Sequence, residues 1–214
     1  FDHVWSGNQP LHNLIHKHVG KPVLTSILNG VNATVFSFGQ SSTGKTHLMF
    51  GPPDGAPPLI DNGHESSGNP SDDALVPMIG MELFAQLEEM FPDRWDVQVS
   101  YLEIYQERTR DLLSDSWEYI SNSVSETPSG QILVKGVRRC PAKNYQELKE
   151  IVEFGNSQRQ TSLTKLNASS SRSHGVLSLY ITYSPNDHSR NYIVQTEANL
   201  VDLAGFERVG STLK

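Results

Sequence analysis

The stretch Ala33–Met49, with the sequence ATVFSFGQSSTGKTHLM, constrains the fold of this chain more than any other part. Its first part, Ala33–Phe38, is rich in β-branched and aromatic residues, which predicts a buried parallel strand. The residues that follow match the motif G-x-x-x-x-G-K-[ST], a loop whose amides surround phosphate oxygens at the start of a helix. The sequence therefore predicts a nucleoside-triphosphate site built on a strand, a loop and a helix.

The motif gives each part of this phosphate loop a separate task. Gly39 and Gly44 permit backbone geometry that a Cβ would obstruct. Lys45 is placed to reach the β- and γ-phosphates, and the hydroxyl of Thr46 to bind Mg²⁺. A Gly/Ser-rich turn that matches by chance is the alternative, but the flanking strand and helix favour a functional loop. The nucleotide-binding residues predicted from this motif are Gly39, Gln40, Ser41, Ser42, Thr43, Gly44, Lys45 and Thr46.

Composition narrows the class of protein. A chain of 214 residues is long enough for one domain with a sizeable core. Its formal net charge of −7 gives no general reason to expect a nucleic-acid partner. No apolar run approaches the length of a membrane span, so no membrane partner is predicted. Cys140 is the single cysteine, which excludes an internal disulfide and fits a reducing cytoplasm.

Apolar residues at helical spacing predict a helix over Leu11–Asn29, with a kink or a new segment at Pro22. His12 and His16 share one face of that helix, and His18 lies close by in the sequence. A metal site would need further clustered ligands, so a solvated helix face is the preferred interpretation.

Periodicity predicts most of the remaining elements. Residues 51–74 are mainly Pro, Gly, Asn, Asp and Ser, and this surface insertion is expected to be mobile because it has little to bury. The other predicted elements are a helix over Leu75–Phe91, a strand over Val97–Tyr105, a loop over Ser114–Gly130, a short strand over Ile132–Val134, a helix over Tyr145–Gly155, and a hairpin of strands over Gly175–Tyr183 and Tyr192–Leu203.

A second phosphate element follows the last predicted strand. The apolar run Leu200–Leu203 contains Asp202, and D-x-x-G extends to Gly205. A carboxylate at such a strand tip lies beside the phosphate loop in nucleotidases of this kind and holds Mg²⁺. Gly205 can present its amide to the γ-phosphate. D-x-x-G alone is a weak signal, and the complete phosphate loop upstream makes it a strong one.

Several long motifs resemble those of the kinesin motor family. Asn167–His174, NASSSRSH, is similar to the first switch of kinesins, N-x-x-S-S-R-S-H, although spacing alone would equally fit a serine-rich loop. Asp202–Arg208, DLAGFER, is similar to the second switch, usually DLAGSER, with Phe206 in place of Ser. Other departures are Ser41, Met78 and Gln106, and none removes a group that touches phosphate or metal. Further blocks in kinesin order are Phe1–Trp5, Asn32–Gly51, Val99–Leu113 and Gly155–Asn167.

The resemblance implies the fold and the activity. The implied fold is the α/β P-loop NTPase class, with a central, mostly parallel mixed sheet and helices on both faces. Residues 1–214 would form one motor domain fragment that continues beyond both ends. The implied activity is microtubule-stimulated ATP hydrolysis that couples two switches to microtubule affinity and force, with ATP/ADP and Mg²⁺ as cofactors, on the cytoplasmic microtubule cytoskeleton.

The resemblance also implies site residues. The implied catalytic residues are Lys45, Ser170, Ser171, Arg172, Gly205 and Glu207, and the implied metal ligands are Thr46, Ser171 and Asp202. Arg172 and Glu207 are implied to pair when both switches close over the γ-phosphate. His47 is implied to stack on adenine, although a helix-surface histidine explains it equally well.

A basic cluster, defined as Lys135, Arg138, Arg139 and Lys143, lies where kinesins present positive charge to the acidic microtubule. A solvated loop is the alternative. Two other functions stay open. A kinesin-like scaffold without turnover would be expected to have lost one of four residues that are all present here: Lys45, Thr46, Arg172 and Glu207. A GTPase would share D-x-x-G, but small GTPases place that motif much closer to GKT.

Overall fold

The computed structural model describes residues 1–5, 11–52, 73–120, 124–128, 130, 132–165, 172–185 and 192–206. Its strands are β1 (Ala33–Ser37), β2 (Trp95–Tyr105), β3 (Arg108–Asp111), β4 (Val124–Glu126), β5 (Ile132–Val134), β6 (Cys140–Pro141), β7 (His174–Tyr183) and β8 (Val194–Asp202). Its helices are α1 (Leu11–Ile15), α2 (Lys21–Leu28), α3 (Lys45–Phe50), α4 (Leu75–Met90) and α5 (Tyr145–Lys165), with a π-helical turn (His16–Gly20) between α1 and α2.

β8 is the strand that positions the phosphate loop. It pairs in parallel with β1 and antiparallel with β7. β7 pairs antiparallel with β2, which also carries β3 and β6. The parallel register sets Ser37 opposite Asp202. The loop that leaves β1 therefore begins beside the carboxyl end of β8.

The sheet is mixed and carries helices, as the sequence predicts. Within the described strands, β1 and β8 are the parallel pair, so this part of the sheet is less parallel than expected. The physical reason is connection length, because β7 and β8 follow each other closely and a short connection suits antiparallel neighbours. The helices α2, α3 and α5 all contact α4, which places them together on one face. The expected second helical layer does not lie among the described residues.

An apolar core lies between those helices and the sheet. Each helix presents a buried stripe to the strands, and burying one such side chain contributes roughly 1.5–3 kcal/mol. The phenol of Tyr183 donates a hydrogen bond to the carbonyl of Leu28 at 2.7 Å, which ties β7 to the end of α2. The most deeply buried aliphatic side chains include Ile27, Ile79, Leu83, Leu87, Leu148, Leu177, Leu179 and Ile181.

The N-terminal helical region differs from the prediction in one respect. Pro22 lies in the first turn of a separate segment, α2, as expected. The solvated face predicted for His16 is wrong, because α4 packs against the π-helical turn and Glu82 lies 2.6 Å from the His16 Nε2 atom. The side chain of His12 lies outside the described residues. No cluster of three or more metal-ligating side chains occurs in the described part of the chain.

α5 is longer than the helix predicted over Tyr145–Gly155. It begins with a capping box, in which the Asn144 side chain accepts a hydrogen bond from the amide of Glu147 at 2.9 Å. Gly155 does not end it. A Cβ at that position would lie 2.3 Å from the ring of Tyr101, so glycine is required by the close approach of β2. The residue that suggests a helix end is thus a packing residue in the helix interior.

Three short strands, β3, β4 and β6, lie where no strand was predicted. β4 falls within the predicted loop Ser114–Gly130 and pairs with β5, and β3 folds back antiparallel on β2. Most of the predicted 51–74 insertion, residues 53–72, lies outside the described residues. None of the described helices combines the length and the apolar character that crossing a membrane requires.

Candidate nucleotide site

The predicted nucleotide-binding residues form one continuous loop and the first turn of α3. Gly44 has φ of 90° and lies in the left-handed region, where it turns the chain into α3. Ser42 also has a positive φ, 61°. The hydroxyl of Thr43 donates to the carbonyl of Gln40 at 2.8 Å and closes the loop on itself. The loop thus has a defined curled backbone between β1 and α3.

Lys45 holds the two ends of the loop together. Its Nζ atom donates to the carbonyl oxygens of Gly39 at 3.0 Å and Gln40 at 2.6 Å. These carbonyl oxygens are neutral acceptors, whereas a phosphate oxygen is charged and makes a stronger, charge-assisted hydrogen bond. A phosphate at the loop would therefore compete well for this ammonium group.

Asp202 is the point at which the phosphate loop meets β8. Its Oδ2 atom accepts a hydrogen bond from the hydroxyl of Thr46 at 2.6 Å, and its Oδ1 atom accepts one from the hydroxyl of Ser37 at 3.1 Å. The carboxylate is almost completely buried, with 1% exposure. The structure thus brings together the two predicted metal ligands that it describes.

Arg159 is a functional-site residue that the sequence prediction missed. One guanidinium nitrogen, Nη1, donates to Oδ2 of Asp202 at 2.7 Å, and Nη2 donates to the carbonyl of Ser173 at 3.0 Å. The pair is buried, with side-chain exposures of 6% and 1%. The signal was present in the sequence, since Arg159 continues the apolar stripe of α5 after Leu148, Val152 and Gly155. A charge on an apolar stripe requires a partner.

Burial and charge act in opposite directions on Arg159. Burial alone would lower the pKa of its guanidinium, but Tyr101 and the carboxylate of Asp202 outweigh burial and raise that pKa above its ordinary value. Burial likewise raises the pKa of Tyr101 to about 12, although Arg159 opposes part of this shift. At neutral pH the site therefore contains a charged Arg159–Asp202 pair beside a neutral phenol.

The start of the second switch is bonded to two other parts of the site. The amide of Leu203 donates to the carbonyl of Ser37 at 3.3 Å. The amide of Ala204 donates to Nδ1 of His174 at 3.0 Å, which fixes the tautomer of that ring with its hydrogen on Nε2. Since His174 is the last residue of the first-switch motif, this hydrogen bond joins the end of one switch to the beginning of the other. The sequence prediction did not include it.

The comparisons with known proteins agree with this geometry. The family model for the kinesin motor domain matches residues 1–214. The chain belongs to the kinesin motor domain family. It is 34% identical to the kinesin-like protein KIF16B of Mus musculus over 205 residues, which cover 93% of this chain and 14% of that protein. It is 33% identical to kinesin-like protein 6 of Schizosaccharomyces pombe, over 99% of this chain and 26% of that protein.

The fold agrees with a solved kinesin structure. The structure of a fast kinesin matches with a TM-score of 0.79 and 31% identity, over 95% of this chain and 53% of that chain. The chain therefore has the P-loop NTPase fold of a kinesin motor head. It spans about half of that solved chain and a smaller share of the curated relatives.

The remaining kinesin site residues are described in part. Arg172 is exposed at the entrance to β7, and Gly205 follows β8 at half exposure. Partial burial lowers the pKa of His47, so its imidazole is neutral at neutral pH. Ser170, Ser171 and Glu207 lie outside the described residues.

The basic cluster lies on the surface, and its two arginines also make local contacts. Arg138 donates to the carbonyl of Leu113 at 3.0 Å, and Arg139 stacks over the ring of Tyr180 at 3.6 Å from its centroid. Lys135 and Lys143 are exposed. All four side chains of the cluster are thus exposed.

The residues at Asp202 fit a magnesium ion. Mg²⁺ prefers hard oxygen ligands and is held in nucleotidases through few carboxylates together with phosphate oxygens. The Thr46 hydroxyl and the Asp202 carboxylate supply such oxygens, and they converge within 2.6 Å of each other. The donor chemistry is that of a magnesium–nucleotide site.

Proposed function

We propose that this chain is the ATP-hydrolysing head of a microtubule motor, in which two switches couple nucleotide state to microtubule affinity and force. The observation that carries the proposal is the 2.6 Å hydrogen bond between Thr46 and Asp202. It joins the phosphate loop to the second switch, which are 156 positions apart in the sequence. Such a junction lets one switch respond to the phosphates held by the loop.

In the proposed reaction, Lys45 binds and orients the phosphates. Its ammonium group exchanges the carbonyls of Gly39 and Gln40 for phosphate oxygens, where it stabilises the charge that moves during phosphoryl transfer. The Gly205 amide contacts the γ-phosphate. Thr46, Ser171 and Asp202 would hold Mg²⁺, which would neutralise part of the phosphate charge. His47 stacks its neutral imidazole on the adenine ring.

The first and second switches are proposed to close on each other. Arg172 and Glu207 form a bidentate ion pair that shelters the attacking water, with Ser170 beside it in the first switch. Glu207 then accepts a proton from that water through a second water. The hydrogen bond from Ala204 to His174 supports this proposal, because it already joins the two switch segments at 3.0 Å.

The partner proposed for the head is the acidic microtubule surface, which places the motor on the cytoplasmic cytoskeleton. The basic cluster supports this because all four side chains are exposed. Its site is separate from the nucleotide, so its substitutions are expected to alter microtubule binding and leave nucleotide binding intact.

The test is ATP hydrolysis by the intact protein that contains this chain, with and without microtubules. Lys45→Ala is expected to lower turnover by roughly 10²–10³-fold, because it removes positive charge from the transferred phosphoryl group. Lys21→Ala, at an exposed lysine at the start of α2, is the control and should match the wild type. Unchanged turnover in Lys45→Ala contradicts the proposal. Faster turnover of GTP than ATP would identify a GTPase, and nucleotide binding without turnover would identify a scaffold.

A further inference from the structure

Two exposed phenylalanine rings stack across the phosphate loop and the second switch. Phe38 is the last residue before the loop, and Phe206 follows Gly205. Their ring centroids lie 4.8 Å apart with an interplanar angle of 14°. This is the offset-stacked geometry that aromatic pairs prefer. Within the described part of the chain the side chains are 69% and 53% exposed, so the stack is separate from the apolar core between the helices and the sheet.

The pair requires both residues to be aromatic. The second-switch motif usually has Ser where this chain has Phe206, and a hydroxymethyl group cannot stack on a ring. Two exposed rings in contact remove apolar surface from water, and their quadrupoles add a further attraction. The stack of Phe206 on Phe38 therefore stabilises an arrangement in which the second switch lies beside the start of the phosphate loop.

The stack completes a set of attachments along the second switch. The Leu203 amide is bonded to the end of β1 and the Ala204 amide to His174, at 3.3 and 3.0 Å. Two residues after Ala204, the ring of Phe206 stacks on the ring of Phe38. Gly205 lies between two held neighbours. Its amide can move toward a γ-phosphate only if the attachment on one side of it changes.

The loop side of the stack is held in the same arrangement. Phe38 adjoins Gly39, whose carbonyl accepts a hydrogen bond from Lys45. In this arrangement Lys45 is turned back onto its own loop, so the stack accompanies a loop that does not extend its ammonium group outward. A triphosphate that draws both Lys45 and Gly205 to itself shifts the backbone on each side of the stacked rings.

We propose that Phe206 is a positioning residue: by stacking on Phe38 it holds Gly205 in the arrangement seen here, with Lys45 turned onto its own loop, and so reduces affinity for the triphosphate relative to the diphosphate. The proposal rests on the proposed nucleotide function, because it concerns the same site. A diphosphate has no γ-phosphate for the Gly205 amide to contact, so the affinity for a diphosphate should not depend on the stack. The Phe38–Phe206 stack thus opposes closure of the second switch. A Ser at position 206 could not make this contact.

Phe36 supplies a matched control. It lies in β1, two positions before Phe38, with 61% exposure among the described residues, and it is not part of the Phe38–Phe206 stack. Phe36→Ser removes an exposed phenylalanine close to the phosphate loop without touching the stack. It separates a loss of surface apolar area from a loss of the Phe38–Phe206 contact.

The first measurement is a double-mutant cycle for unfolding of the intact protein in denaturant without nucleotide. Phe206→Ser and Phe38→Ala are expected to be non-additive, with a coupling of about two- to tenfold in the unfolding equilibrium constant. Phe36→Ser with Phe206→Ser is expected to be additive. An additive Phe38–Phe206 pair would overturn the proposal, because the stack would then stabilise nothing.

The second measurement compares dissociation constants for ADP and for a non-hydrolysable ATP analogue in the same variants. Phe206→Ser should tighten the analogue by about two- to tenfold and leave ADP unchanged. Phe206→Tyr, which keeps the stack, should behave as the wild type, and so should Phe36→Ser. Equal effects on both nucleotides, or a Tyr variant that behaves like Ser, would overturn the positioning role.

These outcomes are distinct from failure of the proposed function. If the wild type binds neither nucleotide, the nucleotide function is wrong and the positioning role is wrong with it. If the wild type binds both and their ratio is insensitive to Phe206, the positioning role alone is wrong.

Discussion

Individual side chains at the site are held by contacts that are both buried and charged. Asp202 accepts hydrogen bonds from Ser37, Thr46 and Arg159, three residues that come from three separate segments. A buried charge that loses its partner is expensive, because desolvation is then no longer offset. The geometry of the carboxylate is thus specified by one residue of the phosphate motif, Thr46, and by two residues outside it, Ser37 and Arg159.

Arg159→Ala should lower the free energy of unfolding by about 3–5 kcal/mol, because it leaves the buried carboxylate of Asp202 without its cation. Arg138→Ala is the control: its ion pair with Asp115 is 3.7 Å long and largely exposed, and its guanidinium also donates to the carbonyl of Leu113 at 3.0 Å. Loss of both contacts should cost about 1–2 kcal/mol. Denaturant unfolding of both variants measures the difference. Equal losses would show that the buried pair does not stabilise the fold.

Tyr101 makes stability depend on alkaline pH. Its pKa is raised to about 12 in the folded protein, whereas an unfolded tyrosine has the ordinary value of 10.0. The folded state therefore retains the proton when the unfolded state has lost it. The neutral phenol's contribution is fully present below pH 10 and is lost between about pH 10 and 12, by about 1.4 kcal/mol per pH unit.

Tyr101→Phe tests this dependence, because it removes the titrating group and keeps the ring. The wild type should lose stability more steeply than the variant as the pH rises from about 10 to 12, in denaturant unfolding at fixed temperature. Below pH 10 the variant should be the less stable of the two, since it lacks the 2.8 Å hydrogen bond from the phenol to Asn156. Parallel pH profiles would show that Tyr101 titrates normally.

At the scale of elements, the antiparallel pair β7–β8 brings the two switches together. Its register sets Gly175 opposite Asp202, so the first switch enters β7 where the second switch leaves β8. β1 lies on the other side of β8 and contributes the phosphate loop at the same end. A movement of the chain after β8 is therefore transmitted to both neighbours, through Ser37 on one side and His174 on the other.

The hydrogen bond between Ala204 and His174 is expected to protect the second switch from exchange with solvent. His174→Ala removes the acceptor, and exchange at the Ala204 amide should accelerate by about two- to tenfold, as loss of one net hydrogen bond predicts. His174→Asn is the matched variant, because its side-chain oxygen can accept at a similar position. Hydrogen exchange resolved to residues 203–206 measures both. Equal acceleration in the two variants would rule out a role for the acceptor.

For the whole molecule, the sequence predicts the parts whose signals are local. The phosphate loop, Thr46 and Asp202 follow from short motifs, and helices such as α4 follow from apolar periodicity. The partners of Arg159 and His174 depend on which segments pack together, and no local pattern specifies them. The apolar helix stripe indicates only that Arg159 needs a buried partner. The end predicted for α5 at Gly155 was wrong for the same reason. This glycine is needed because the ring of Tyr101 in β2 packs closely against it. Short local motifs thus predict the nucleotide-binding residues better than they predict the contacts between distant segments of the chain.

The net charge of this chain bears on how its basic cluster could act. At −7, the chain as a whole is repelled by an acidic partner. Screening confines each charge to about 8 Å at physiological salt, so only charges at the contact surface matter there. The exposed basic cluster would then orient the head locally against the overall repulsion. Its lysines are the clean test, because Arg139 also stacks on Tyr180.

Lys135→Glu and Lys143→Glu should each raise the microtubule concentration for half-maximal ATPase stimulation, by up to about fivefold at low salt and less at high salt. Turnover without microtubules should not change, because neither lysine lies at the nucleotide. Lys21→Glu carries the same change in net charge on an exposed lysine of α2 and serves as the control. If Lys21→Glu weakened stimulation as much as the cluster variants, net charge would explain the effect. The cluster would then be an ordinary solvated surface, since position on the molecule would not matter.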